Sequence, residues 1–192
     1  MIETADLNQL LLDAFSGKCT WLEASTKYSV NEFIEAFHRT RAVMKKTMAD
    51  LTDVQVAFTI EQNPIWSISE MVTHLIYSQN FYYNQLLDIT TTELPHIVEA
   101  AKGFGEGARI GRPAAELRND LDKATVLIED VIEKTRQNND PRKINDTGRN
   151  FFGKVNYQTW ILLLLGHETD HVRQGIIMRR AARAAFPAER AN

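Results

Sequence analysis

The stretch ILLLLGHETDHVRQGIIMRR, residues 161–180, decides how the chain reads. Five apolar residues lead into His167 and His171, four positions apart, and Ile176 and Ile177 follow. Four residues advance a helix by about 400°, so both imidazoles leave the same face, one turn apart. Their apolar flanks turn that face toward a core, where an imidazole needs a partner. A divalent ion held between them is such a partner, and His167-Glu168-x-x-His171 also fits the zinc-protease pattern.

Working outward, helical periodicity dominates and strand signals are weak. The fourth long helix starts near Asn156 and stops before Pro187. The first long helix starts at Ser29, where Ser29 and Glu32 form a capping box and Tyr28 and Phe33 a hydrophobic staple. Phe33, Phe37, Met44, Met48 and Leu51 carry it to about Thr52. The second repeats the device with Ser67, Glu70, Trp66 and Met71, and runs through Leu75, Phe81, Tyr82 and Leu86 to near Asp88. A third opens at Pro113, a good first helical position, and carries Leu117, Leu121, Ala124, Ile128 and Ile132. Ahead of these, Leu7, Leu10, Leu11, Ala14 and Phe15 suggest a short helix over 5–15, then a looser stretch from Gly17 to Lys27.

The expected fold is all-α: a four-helix bundle over 29–186 with an N-terminal extension, 1–28, that holds the extra short helix. The connection over residues 90–111 contains Gly103, Gly105, Gly107 and Gly111. It is too long for a tight hairpin. Two readings stay open: a crossover that lets the second and third helices run parallel, or a mobile cover over a site.

Composition narrows the function. The 192 residues fit one domain, with 44% hydrophobic and 24% charged residues. A formal net charge of −3 offers no basic field for nucleic acid or anionic lipid. The arginines near the C-terminus (Arg173, Arg179, Arg180, Arg183, Arg190) read as complements to a helix dipole. A single cysteine, Cys19, excludes an intrachain disulfide and fits a cytoplasmic location. No apolar run approaches ~18 residues and the N-terminus is polar, so neither a membrane span nor a signal peptide is expected.

A catalytic metal site needs a third ligand, and His74, two turns into the second helix and close in phase to Met71 and Leu75, supplies it. His38 reads as a boundary residue. His96 lies in the long connection, placed to add a fourth ligand or touch substrate should that segment close. Glu168 is the acid–base candidate, though about 100° round the helix from His167. Asp170 and Glu70 are candidate acceptors behind the imidazoles. Tyr77 and Gln174, about one turn beyond His74 and His171, are candidates for lining the pocket and binding substrate.

With these residues in place, the chain resembles the DinB-like (YfiT-like) family of four-helix-bundle metalloenzymes. The resemblance rests on PIWSISEMVTHL, residues 64–75, and on residues 161–180, and spans roughly 30 to 182. In that family a helix opens with tryptophan and a small capping residue, with histidine about two turns later. The last helix carries two histidines four apart, often with glutamate after the first and glutamine three after the second. Here these are Trp66, Ser67, His74, His167, Glu168, His171 and Gln174. Val172 and Arg173 stand where arginine and glycine often follow the second histidine, and about 30 residues precede the bundle.

The resemblance implies one divalent ion (zinc, nickel or iron) on His74, His167 and His171, a homodimer, and a crossed connection between the second and third helices. It implies a metal-dependent transferase acting on a small-molecule substrate with a low-molecular-weight thiol. Two other functions remain in view: a non-enzymatic stress-response or interaction bundle with a structural metal, and a metal-dependent hydrolase built on the HExxH pattern. The extended protease pattern fails, since Gln174 and Ile177 occupy its glycine and third-histidine places.

Overall fold

The computed structural model describes residues 2–60, 66–87, 112–138, 144–145 and 155–187. The long connection, with His96, lies outside the described residues, as do the side chains of Phe81, Tyr82, Leu86 and Ile132.

Among the described residues the fold is all-α apart from a two-residue antiparallel ladder, Ile144–Asn145 with Val155–Asn156. In order, the helices among the described residues are α1 (Thr4–Phe15), α2 (Trp21–Ser25), α3 (Val30–Met48), α4 (Asp53–Ala57), α5 (Ile68–Leu87), α6 (Ala114–Asn138) and α7 (Tyr157–Ala185). The long ones, α3, α5, α6 and α7, form the bundle. Within it α7 packs on α3 and α5, and α6 packs on α5 and α3.

Local chemistry sets the helix starts. Ser29 caps α3 with Glu32 answering it, and the Tyr28 and Phe33 rings meet edge to face at 6.0 Å, as the staple requires. Ser67 and Glu70 exchange the same pair of bonds at 2.8 and 3.1 Å. Two further boxes alter the expected boundaries. Thr20 with Glu23 starts α2 inside the stretch read as loose, and Thr52 with Gln55 starts α4. The first long helix therefore ends at Met48 rather than near Thr52, because Thr52 takes up the backbone N–H of a new helix. The Asp53 carboxylate in turn accepts from Ala114 N at 2.8 Å, at the first turn of α6.

Cross-helix bonds give the directions. Ser69 meets Arg112 and Gln79 meets the Ala124 carbonyl, so α5 and α6 run parallel, as the crossover reading requires. Arg41 meets Glu168 and the Thr47 carbonyl meets Arg179, so α3 and α7 are parallel too. Lys45 with Asp122 and Arg118 with the Met48 carbonyl make α3 and α6 antiparallel. His74 with His167 and Met71 with Gly175 make α5 and α7 antiparallel.

The core has two main apolar clusters. One joins Leu7, Leu11 and Ala14 of α1 to Phe33 and Phe37 of α3 and Ile161, Leu162 and Leu165 of α7. The other joins Met44 and Met48 to Met71, Leu75, Leu117, Leu121 and Val172. The start of α7 is apolar all round because α1, α2 and α3 enclose it. At Gly166 the missing side chain lets Leu11 come close: an added Cβ would sit 3.1 Å from Leu11 Cδ2. No helix among the described residues is long and apolar enough to cross a membrane.

Because α1 shares this core, Leu11→Ala should lower the unfolding free energy of the whole chain by about 2–4 kcal/mol. Urea denaturation followed by circular dichroism should show one transition at a lower midpoint. An unmoved bundle transition would mean that α1 contributes nothing to it.

Candidate metal centre

Three imidazoles converge between α5 and α7. His74 Nε2 lies 3.1 Å from His167 Nε2, and His171 Nε2 lies 3.2 Å from the same atom. Among the described residues no carboxylate or thiolate joins this group, whose ligand atoms all fall within 4.8 Å of one another. Metal–nitrogen bonds of about 2.0–2.1 Å place adjacent ligand nitrogens about 2.8–3.4 Å apart at angles of roughly 90–110°. The observed spacings fall in that range, so the three histidines fit a divalent ion with positions left open.

The surroundings keep the imidazoles neutral and aimed. Burial lowers the His74 pKa to about 4 and the His167 pKa to about 3, with the neighbouring imidazoles adding to both shifts. Burial lowers His171 as well, partly opposed by Gln174 and Asp170. Gln174 Oε1 lies 3.0 Å from His171 Nδ1, and Gln174 Nε2 donates to Asp170 Oδ2 at 3.1 Å. The Asp170 carboxylate only accepts, so it turns the Gln174 amide NH₂ toward itself and the amide oxygen toward His171. His171 then carries its proton on Nδ1 and leaves the Nε2 lone pair facing the other rings. Asp170 thus orients an imidazole through Gln174.

Trp66 walls the site. Its ring stacks on His171 at 5.9 Å and 11°, and meets His74 edge on at 4.6 Å. Ser78 Oγ sits 3.2 Å from His74 Nε2. Ser78 is four residues after His74 and shares its face, whereas Tyr77, three after, is turned outward and 42% exposed. That phase difference puts Ser78, rather than Tyr77, beside the ring nitrogens. Glu70 is engaged by the Ser67 cap instead of an imidazole. His38 pairs with Glu129 on the α3–α6 surface, at 3.2 Å.

Glu168 has a different partner from the expected one. The turn of about 100° from His167 carries it into the bundle, where it is fully buried and ion-paired with Arg41. Arg41 Nη2 also donates to Gln79 Oε1 at 2.8 Å, and Nη1 to Thr125 Oγ1 at 3.4 Å. Gln79 Nε2 donates onward to the Ala124 carbonyl at 2.7 Å. One buried polar node therefore touches all four long helices. Burial pushes the Glu168 carboxyl pKa up in spite of Arg41. Sequence reading passed over Arg41, although its place in the stripe Phe37, Arg41, Met44, Met48 marks a charge on a core face.

A helical bundle with three convergent imidazoles on two antiparallel helices is compatible with holding a divalent metal ion. The profile of the DinB superfamily matches residues 36–174, and the chain belongs to that superfamily. No curated protein and no solved structure gives a significant match.

Two outcomes follow from the electrostatics. In the metal-free protein the folded imidazoles resist protonation, while unfolded ones titrate near the usual value of about 6.5. Between about pH 6.5 and 4 the unfolded state therefore binds more protons, and stability falls as pH falls. Urea midpoints across that range should drop less in His167→Ala than in the wild type. Equal slopes would contradict the buried-imidazole account.

Removing one partner of the buried pair, as in Arg41→Ala or Glu168→Ala, should cost about 3–5 kcal/mol. The double replacement Arg41→Met with Glu168→Leu should cost far less. Chemical denaturation reads both, with the single variants Arg41→Met and Glu168→Leu closing the double-mutant cycle, and additive losses would mean the two residues are not coupled.

Proposed function

We propose that His74, His167 and His171 hold one divalent ion (zinc, nickel or iron). The proposed activity is a metal-dependent transferase reaction on a small-molecule substrate with a low-molecular-weight thiol. The reading extends to a homodimer in the cytoplasm, in keeping with the family resemblance and the single cysteine. The observation that carries it is the set of three Nε2 atoms meeting at 3.1 and 3.2 Å.

When bound, such an ion lowers the pKa of a thiol or water in an open position, so that thiolate forms at neutral pH. The chain's own residues prepare the place. Burial keeps the imidazoles neutral, so protons do not compete for the lone pairs at neutral pH. Gln174 and Asp170 hold the His171 tautomer. Trp66 closes one side with an apolar face, and the Ser78 hydroxyl offers a hydrogen bond at the opening.

The HExxH hydrolase reading is disfavoured by Glu168. A general base must reach the group it deprotonates, and this carboxylate is bound to Arg41 in the core. With no carboxylate in the cluster among the described residues, proton transfer falls to the imidazole-facing Ser78 hydroxyl, solvent or the substrate itself.

Metal content by plasma mass spectrometry on untagged protein should give about one divalent ion per chain, lost in His74→Ala and His167→Ala. Gln174→Ala should keep the site but weaken metal affinity about 10–100-fold. Thiol consumption with glutathione or cysteine and a panel of electrophiles should disappear on chelation and return with the metal. No metal, even after incubation with zinc and nickel, would overturn the proposal. Bound metal with no thiol-dependent turnover would favour a structural ion.

A further inference from the structure

A second cavity lies on the opposite face of α7 from the histidines. It has a volume of about 360 Å³, at the low end for small-molecule sites, and is walled by α1, α3 and α7. From α7 it takes Thr169, Val172, Arg173 and Ile176, roughly half a helical turn from His167 and His171. Its walls are mainly apolar, with Leu7, Val43, Val172 and Ile176 contributing, and no Asp or Glu among the described residues lines it.

Two arginines line this cavity, the half-buried Arg39 and the exposed Arg173. Each gives one hydrogen bond to a neutral acceptor: Arg39 to the Ile2 carbonyl at 2.9 Å, and Arg173 to Asn8 Oδ1 at 2.5 Å. Neither forms an ion pair with a carboxylate among the described residues. Other surface arginines do find acids, as Arg179 and Arg183 find Asp50. In a chain of net charge −3, two unneutralised guanidiniums beside one apolar cavity call for an anion. Each retains N–H donors, and the planar fork matches carboxylate and phosphate oxygens alike.

We propose that this cavity binds a small amphipathic anion. Its carboxylate or phosphate head would lie between Arg39 and Arg173, and its aliphatic body along Leu7, Val43, Val172 and Ile176. The site belongs to this chain's N-terminal helix as much as to the bundle. Leu7 and Asn8 precede the family match, which begins at residue 36, and α1 supplies the third wall. Arg173, which departs from the family's usual glycine there, supplies half of the charge. The proposal is independent of the metal.

Calorimetric titration of the full chain with octanoate, octyl phosphate and 1-octanol, below their micelle concentrations, tests it. At least one of the two anions should bind saturably, and 1-octanol at least about tenfold more weakly, the loss expected for a charge-assisted hydrogen bond. Whichever anion binds more tightly identifies the head group. Arg39→Gln with Arg173→Gln should weaken the anion at least about tenfold. Val43→Phe, at an exposed position, should weaken it by filling the cavity while leaving both charges. His74→Ala should bind the anion as the wild type does. Absence of saturable anion binding, equal binding of 1-octanol, or indifference to both the arginine and the Val43 variants would overturn the proposal.

Discussion

The structure depends on the buried contact between Arg41 and Glu168. It lies where the two large apolar clusters meet, with Phe37 and Leu165 on one side and Met44 and Val172 on the other. Among the described residues Arg41 Nε and Glu168 Oε2 find no hydrogen-bond partner, so the pair is incompletely satisfied there. A buried ion pair of this kind adds little net stability over apolar packing, and its best-attested use is to specify register. Here that use is concrete. Rotating or sliding α7 against α3 would strand a charge in the core, so α7 has one setting. In that setting Glu168 faces inward and His167 and His171, on the next faces round, look at α5.

Gln79 extends the same control to α5. It bonds both Arg41 and the Ala124 carbonyl, tying α5 to α3 and α6 one residue beyond Ser78 and five beyond His74. The two helices that carry the histidines are thus indexed to one node. The imidazoles themselves repel protons and sit close together, an arrangement that costs desolvation without a shared cation. The rigid frame and the convergent lone pairs make sense together: the bundle holds three donors in place before any ligand arrives. The Arg39 and Arg173 cavity sits behind this frame, on the side of α7 that the N-terminal helix covers.

Much of this was legible in the sequence because it is local. Ser29 with Glu32 and Ser67 with Glu70 announce helix starts through bonds made within four residues, and the structure has those helices. The histidine spacing showed which rings share a face of α7, and the phase of His74 pointed to the same space. What depends on tertiary phase was less legible. Glu168 reads as a base from the HExxH pattern, but its direction is set by Arg41, 127 residues away in the chain. Tyr77 and Ser78 differ by one position, and only the helix phase relative to α7 selects Ser78. The short helices α2 and α4 were missed because helices of five residues carry too little periodicity, although Thr20 with Glu23 and Thr52 with Gln55 mark them. Helix directions came only from cross-helix bonds such as Gln79 to Ala124.

The measurement that tests the central claim most directly is X-ray absorption at the metal edge of the loaded protein, with wild type and His74→Ala compared. The account expects a shell of nitrogen or oxygen atoms at about 2.0–2.1 Å, with outer-shell scattering from three imidazoles falling to two in the variant. A sulfur shell from Cys19, or an imidazole count unchanged by loss of His74, would contradict it.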